Sequence, residues 1–134
     1  MLARLICAAF TVMSYAAAHA CGVCIDDKVA STYDHAIVTK AVARHELMVF
    51  GEITGPVDMK VATSRIARAA PQVFGIDRRS VRTSLAPAAF SFALNPAART
   101  ADAAVAELQT RLRVPGATLV VLRVMGGPAK LTRN

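Results

Sequence analysis

An α+β sandwich, in which one extra helix precedes a strand-helix-strand-strand-helix-strand domain, follows from three features of the sequence. Apolar residues alternate with a period of two over 47–53, 76–85 and 88–94, and run almost unbroken over 118–125. They recur at helical spacing over 24–44, 59–73 and 101–112. Gly55-Pro56, Ala86-Pro87, Asn95-Pro96 and Pro115-Gly116 mark the places where one pattern gives way to another.

Residues 1–20 read as a secretory signal that stands apart from this fold. Arg4 precedes an apolar run over 5–15, and Ala18 and Ala20 supply the small side chains that a signal peptidase accepts. The run is shorter than the roughly 20 apolar residues that a membrane-spanning helix needs. No later segment is uniformly apolar over such a length, so no transmembrane segment is expected after processing. Cuts after Ala16 or Ala18 satisfy the same rule. Removing residues 1–20 from the 134 leaves 114, enough for one compact core. It takes away only Arg4, lowering the formal charge of +7 by one. The expected location is periplasmic or secreted.

Residues 21–45 are expected to form the extra helix. Ile25, Val29, Ala36, Ile37 and Ala41 fall on one face, with Tyr33 beside them. Asp26 and Asp27 in the first turn, and Lys40 and Arg44 near the end, suit the helix dipole. In the domain over 46–125, the first strand turns Leu47, Val49 and Ile53 to one side. Pro56 suits the start of a helix whose stripe is Met59, Ala62, Ile66, Ala69 and Val73, and Pro71 ends or bends it. The next strand is expected over 76–85, with Val81, Thr83 and Leu85 inward and Ser80, Arg82 and Ser84 outward. Phe90, Phe92 and Leu94 share the inner face of the third strand. Thr100 caps a helix that buries Ala101, Val105, Leu108 and Leu112. Residues 126–134, rich in Gly, Pro, Lys and Arg, are expected as a flexible tail.

This element order is ferredoxin-like, with two helices over one face of a four-stranded antiparallel sheet. Met48, Phe50 and alternate residues of the last strand would then lie bare on the opposite face. The leading helix can cover them, and a homodimer through that face is the other solution. Together with the nearby Cys21-Gly22-Val23-Cys24, the order over 46–125 resembles the heavy-metal-associated ferredoxin-like superfamily, whose members carry copper, zinc or cadmium. The resemblance implies the fold and a soft-metal cargo. That family sets its cysteine pair between the first strand and the first helix. The corresponding residues here, 51–58, contain no cysteine, so the family's site does not carry over to that loop.

The chemistry therefore rests on Cys21 and Cys24, since Cys7 leaves with the signal. Two sulfurs three positions apart can address one ion if the backbone turns, as Gly22 permits. Thiolates favour Cu(I), and Zn(II) where further ligands join. The freed α-amine of Cys21 is a further donor, and Asp26 and Asp27 add negative potential. The same pair also suits a structural disulfide in an exported protein, or lipid attachment at Cys21. Redox catalysis is disfavoured, because two aspartates beside the pair oppose thiolate formation and Lys28 offsets only part of that. His35 lies eleven residues after Cys24, which on one straight helix is about 16 Å. His35 and His45 therefore read as surface residues, and Met48 and Met59 as packing.

Lys60, Arg65, Arg68, Arg78, Arg79 and Arg82 are expected to form a basic surface over the first domain helix and second strand. RNA-recognition domains share the topology, but they need outward aromatics where Phe90 and Phe92 are assigned inward. Export also separates the chain from nucleic acid. An envelope protein or anionic envelope surface is the better partner. The chain carries no nucleophile elbow, HExxH or phosphate loop. The expectation is a non-enzymatic exported protein that binds Cu(I) or Zn(II) through Cys21 and Cys24. The alternative is a disulfide-tied interaction module of the envelope, with or without a lipid on Cys21.

Overall fold

A computed structural model describes residues 24–127. The expected signal segment, Cys21 and nearly all of the expected tail lie outside the described residues. The elements are α1 (Ile25–Thr32), α2 (His35–Ala43), β1 (Leu47–Thr54), α3 (Met59–Ala69), a 3-10 turn (Ala70–Gln72), β2 (Arg82–Leu85), β3 (Ala88–Leu94), α4 (Ala101–Leu112) and β4 (Thr118–Gly126). The strands form one sheet in the order β2-β3-β1-β4, and every neighbouring pair is antiparallel. β1 and β2 therefore run parallel with β3 between them, and β3 and β4 run parallel with β1 between them. α3 and α4 make the two crossovers. The fold is α+β.

Both faces of the sheet are covered. On one, Val49, Ile53, Phe90, Phe92 and Leu94 meet Ala62 and Ile66 of α3 and Val105, Leu108 and Leu112 of α4. On the other, Met48, Phe50 and Ala93 are buried beneath Val29 of α1 and Val38 and Ala41 of α2. The chain's own leading helices thus take the place that a second copy was the alternative to fill. Tyr33 stacks on Phe50 with ring centroids 6.4 Å apart.

The single helix expected over 24–44 is two helices. Tyr33 is extended, and the Asp34 carboxylate accepts hydrogen bonds from the N–H groups of Ala36 (3.0 Å) and Ile37 (3.3 Å), which starts α2 afresh. Packing explains the break. An unbroken helix of 20 residues is about 30 Å long, whereas the outer strands of a four-stranded sheet lie about 14 Å apart. Broken at Tyr33–Asp34, the segment lays α1 against all four strands and returns α2 over β1 and β3. The buried side follows suit: Ile25, expected inward, is exposed, while Thr32 and Val38 are buried.

β2 is also shorter than expected. Its ladder with β3 covers Arg82–Leu85 alone, and Ile76 touches Leu94 through an isolated bridge. Ser80, expected outward, is buried because its hydroxyl accepts the Ala93 N–H at 2.7 Å and donates to the Asp77 carbonyl at 2.6 Å. Thr83 and Leu85, expected inward, are exposed at the sheet edge. The α3 cap differs too: Asp58, rather than Pro56, opens the helix by accepting from Lys60 and Val61. Thr100 caps α4 as expected, and Pro71 falls in the 3-10 turn that ends α3.

A bulge on β4 interrupts its register with β1, where Phe50 pairs with Arg123 and Gly51 with Val121. Directly across the sheet, Gly51 faces the Phe90 ring, and a Cβ there would lie 2.2 Å from the ring's Cζ. Glycine is what allows Phe90 to fill the core over β1. Gly51→Ala is therefore expected to cost about 1–3 kcal/mol through overpacking, read as a lower urea midpoint with an unchanged slope. Adding Phe90→Leu should return part of that loss.

Candidate functional site

Cys24 stands immediately ahead of α1, with φ −52° and ψ 155°. Its carbonyl accepts the Lys28 N–H at 3.1 Å, but its side chain makes no capping hydrogen bond. The thiol is exposed. Asp26 and Asp27 follow in the exposed first turn. Cys21 lies outside the described residues.

Polar contacts fasten α1 at both ends. Lys28 pairs with Glu52 of β1, and Arg123 of β4 reaches the Asp26 carboxylate at 2.7 Å. At the far end the Ser91 hydroxyl donates to the Thr32 carbonyl at 3.0 Å in a buried contact. The arginine on Asp26 removes part of the negative potential that the sequence places beside Cys24, leaving Asp27 as the unpaired carboxylate of that turn among the described residues.

The other donors considered in the sequence are not gathered at Cys24. His35 begins α2 and His45 follows it; both are exposed. The straight-helix separation of Cys24 and His35 no longer applies, because the chain turns at Tyr33–Asp34. Met48 belongs to the core under α1 and α2, and Met59 packs against the core under α3 and α4. Among the described residues no three His, Cys, Asp or Glu side chains form a group able to hold a metal.

The basic surface differs from the expected one. Arg82 points to the α1–α2 side, where it meets Asp34 at 3.2 Å, and Arg79 lines a small pocket with Lys40 and Ile37 of α2. Arg65 and Arg68 instead face the opposite side, in an open groove of about 620 Å³ between α3 and α4. Arg111 of α4 and Arg113 just after it complete that groove, and sequence reasoning missed them. Arg111 was findable, since it falls outside the Val105–Leu108–Leu112 stripe. Its proximity to α3 was not, because it depends on the antiparallel packing of the two crossovers. Glu107 sits in the groove, paired with both Arg111 and Arg99.

Two carboxyls are held below their ordinary range. Asp34 is lowered chiefly by the Ile37 N–H; burial, next in size, opposes this, and Arg82 and the Ala36 N–H lower it further. Glu107 is lowered by Arg111 and Arg99. Phe90 and Phe92 stack on each other in the core, 6.1 Å between centroids, and present no aromatic platform. No helix among the described residues is long and apolar enough to cross a membrane. Compared with known protein families, characterised proteins and solved structures, the chain matches none.

The depressed Asp34 carboxyl fixes the sign of a pH effect. Its stabilising contribution is complete above the ordinary value of 3.8 and is lost as the pH falls through its lowered folded value. Asp34→Asn keeps a capping oxygen but removes the titration and the Arg82 ion pair. Thermal melts of this variant are expected to depend less steeply on pH below that ordinary value than those of the wild type.

Proposed function

We propose that this is an exported, non-enzymatic protein that binds a soft metal ion, Cu(I) in preference to Zn(II), through the thiolates of Cys21 and Cys24. The observation that carries the reading is the position of Cys24. Its thiol is exposed, uncommitted to helix capping, and mounted at the start of a helix fastened to the sheet through Lys28–Glu52 and Asp26–Arg123. A thiolate so placed suits a soft cation, and the Asp27 carboxylate one turn into the helix favours positive charge over a second anion. Cys21 would supply the second sulfur, with the α-amine available after cleavage behind Ala20.

The sheet order β2-β3-β1-β4, with both crossover helices on one face, supports a ferredoxin-like description of the domain over 46–125. α1 and α2 are an addition on the reverse face. Periplasmic or secreted location rests on residues 1–20. In this setting the chain's residues act by holding the ion. The thiols must lose protons to bind, so affinity falls as the pH drops. The bound ion supplies no chemistry to a substrate; it is the cargo.

Titration of Cu(I) into the reduced, purified protein against a competing chelator tests the reading. Wild type is expected to take the ion from the chelator, and Cys21→Ser/Cys24→Ser to leave it there. A double variant that holds copper as tightly as wild type overturns the proposal. So does an intact mass two hydrogens short of the dithiol that persists in mild reductant, because the sulfurs are then joined to each other.

A further inference from the structure

The groove between α3 and α4 has a use that the cysteine pair does not explain. Arg65 and Arg68 of α3 face Arg111 of α4 and Arg113 at its C-terminal cap across it. The one carboxylate in its wall, Glu107, is already engaged by Arg111 and Arg99. Among the described residues Arg65, Arg68 and Arg113 make no ion pair, so their charges are uncompensated.

Apolar side chains extend this face. Val61 precedes Arg65 and Arg68 on α3 at a spacing of four and then three residues, which places all three on one side of the helix. It is 46% exposed. Phe74, just beyond the 3-10 turn, is 69% exposed and lies 6.0 Å from the Arg99 guanidinium that holds Glu107. No other large apolar side chain among the described residues is as open to solvent. Arginines with a neighbouring exposed phenylalanine fit a surface that is anionic at its headgroups and apolar just beneath them.

We propose that the α3–α4 face docks on an anionic phospholipid bilayer, its arginines on the lipid phosphates and Phe74 in the interface. A soluble phosphate compound would satisfy the arginines but gain nothing from Phe74 or Val61. Nucleic acid could stack a base on Phe74, but it would leave Val61 unused and would find one exposed ring beside the groove rather than an aromatic platform. The docking is peripheral and reversible, and it is independent of the metal reading, because Cys24 lies just ahead of α1, across the sheet.

Vesicle sedimentation tests this, using purified protein whose intact mass shows no acyl chain. Wild type is expected to sediment with vesicles of phosphatidylcholine and phosphatidylglycerol, but not with phosphatidylcholine alone, and to be released by high salt. Arg65→Glu/Arg68→Glu should weaken binding by at least about tenfold, and Phe74→Ser by about fivefold. Arg78→Glu/Arg79→Glu changes net charge equally but away from the groove, and should sediment much as wild type does. All these side chains are exposed, so circular dichroism should show each variant folded. Equal binding to neutral vesicles overturns the proposal, as does an unchanged Arg65→Glu/Arg68→Glu variant or an equal loss in Arg78→Glu/Arg79→Glu. Release by glycerol phosphate at constant ionic strength also overturns it, and makes the groove a site for soluble phosphates.

Discussion

Strand β1 has no solvent-facing side. Val49 and Ile53 point to α3 and α4, Met48 and Phe50 point to α1 and α2, and none of the four is more than 4% exposed. An antiparallel sheet ordinarily leaves one face to water, but this one cannot. Fully burying side chains of this size is worth about 1.5–3 kcal/mol each, while whole domains are stable by only about 5–15 kcal/mol. Stripping the cover from Met48 and Phe50 would remove a large share of that margin. The leading helices are therefore part of the packed unit, and a close helix–sheet fit on one side must coexist with a second on the other. Gly51 shows how tight that fit is, since Phe90 occupies the space its side chain would need.

Apolar burial supplies the energy that holds α1 and α2 down, but it does not choose their direction. An apolar face can be covered at several angles, and the polar contacts select among them. Lys28 finds Glu52, Arg123 finds Asp26, and the Thr32 carbonyl receives the Ser91 hydroxyl. Asp77, in the loop before β2, lies 3.6 Å from Arg44 and 4.0 Å from Lys40 at the other end of the pair. Partly exposed ion pairs contribute little energy individually. Their value here is that each joins a helix to a different strand or loop, so a rotated helix loses several at once. Asp34 does two things: it begins α2, and through Arg82 it ties that beginning to β2.

The types and order of the elements over 46–125 were legible in the sequence, because hydropathy period and proline or glycine punctuation are local properties. The helix break was not. Ile25, Val29, Ala36, Ile37 and Ala41 scan as one stripe, and only the width of the sheet makes an unbroken helix too long. Asp34 was the available sign, a capping residue in mid-pattern. Ser80 was misplaced for a similar reason: alternation assigns it outward, but its hydroxyl has buried partners in Asp77 and Ala93 that no local pattern reveals. At the candidate site, the helix-start position of Cys24 followed from its sequence context. The Arg123 charge beside Asp26 did not, because it arrives from a strand nearly a hundred residues later. The basic surface was half right: Arg65 and Arg68 belong together, yet their neighbours are Arg111 and Arg113.

The two proposed surfaces lie back to back. Cys24 opens α1 on the reverse face of the sheet, and the arginine groove lies between the helices that cover the front. A molecule resting on a bilayer through α3 and α4 would present α1, and the thiol ahead of it, away from the lipid. The sheet between them is packed on both sides and four strands wide. Metal exchange and membrane docking would then not compete for the same residues. They would combine, because attachment to a surface would confine Cys24 to a layer of defined height. The double cover that β1 requires for its own burial is thus also what sets the two proposed surfaces on opposite faces of the sheet.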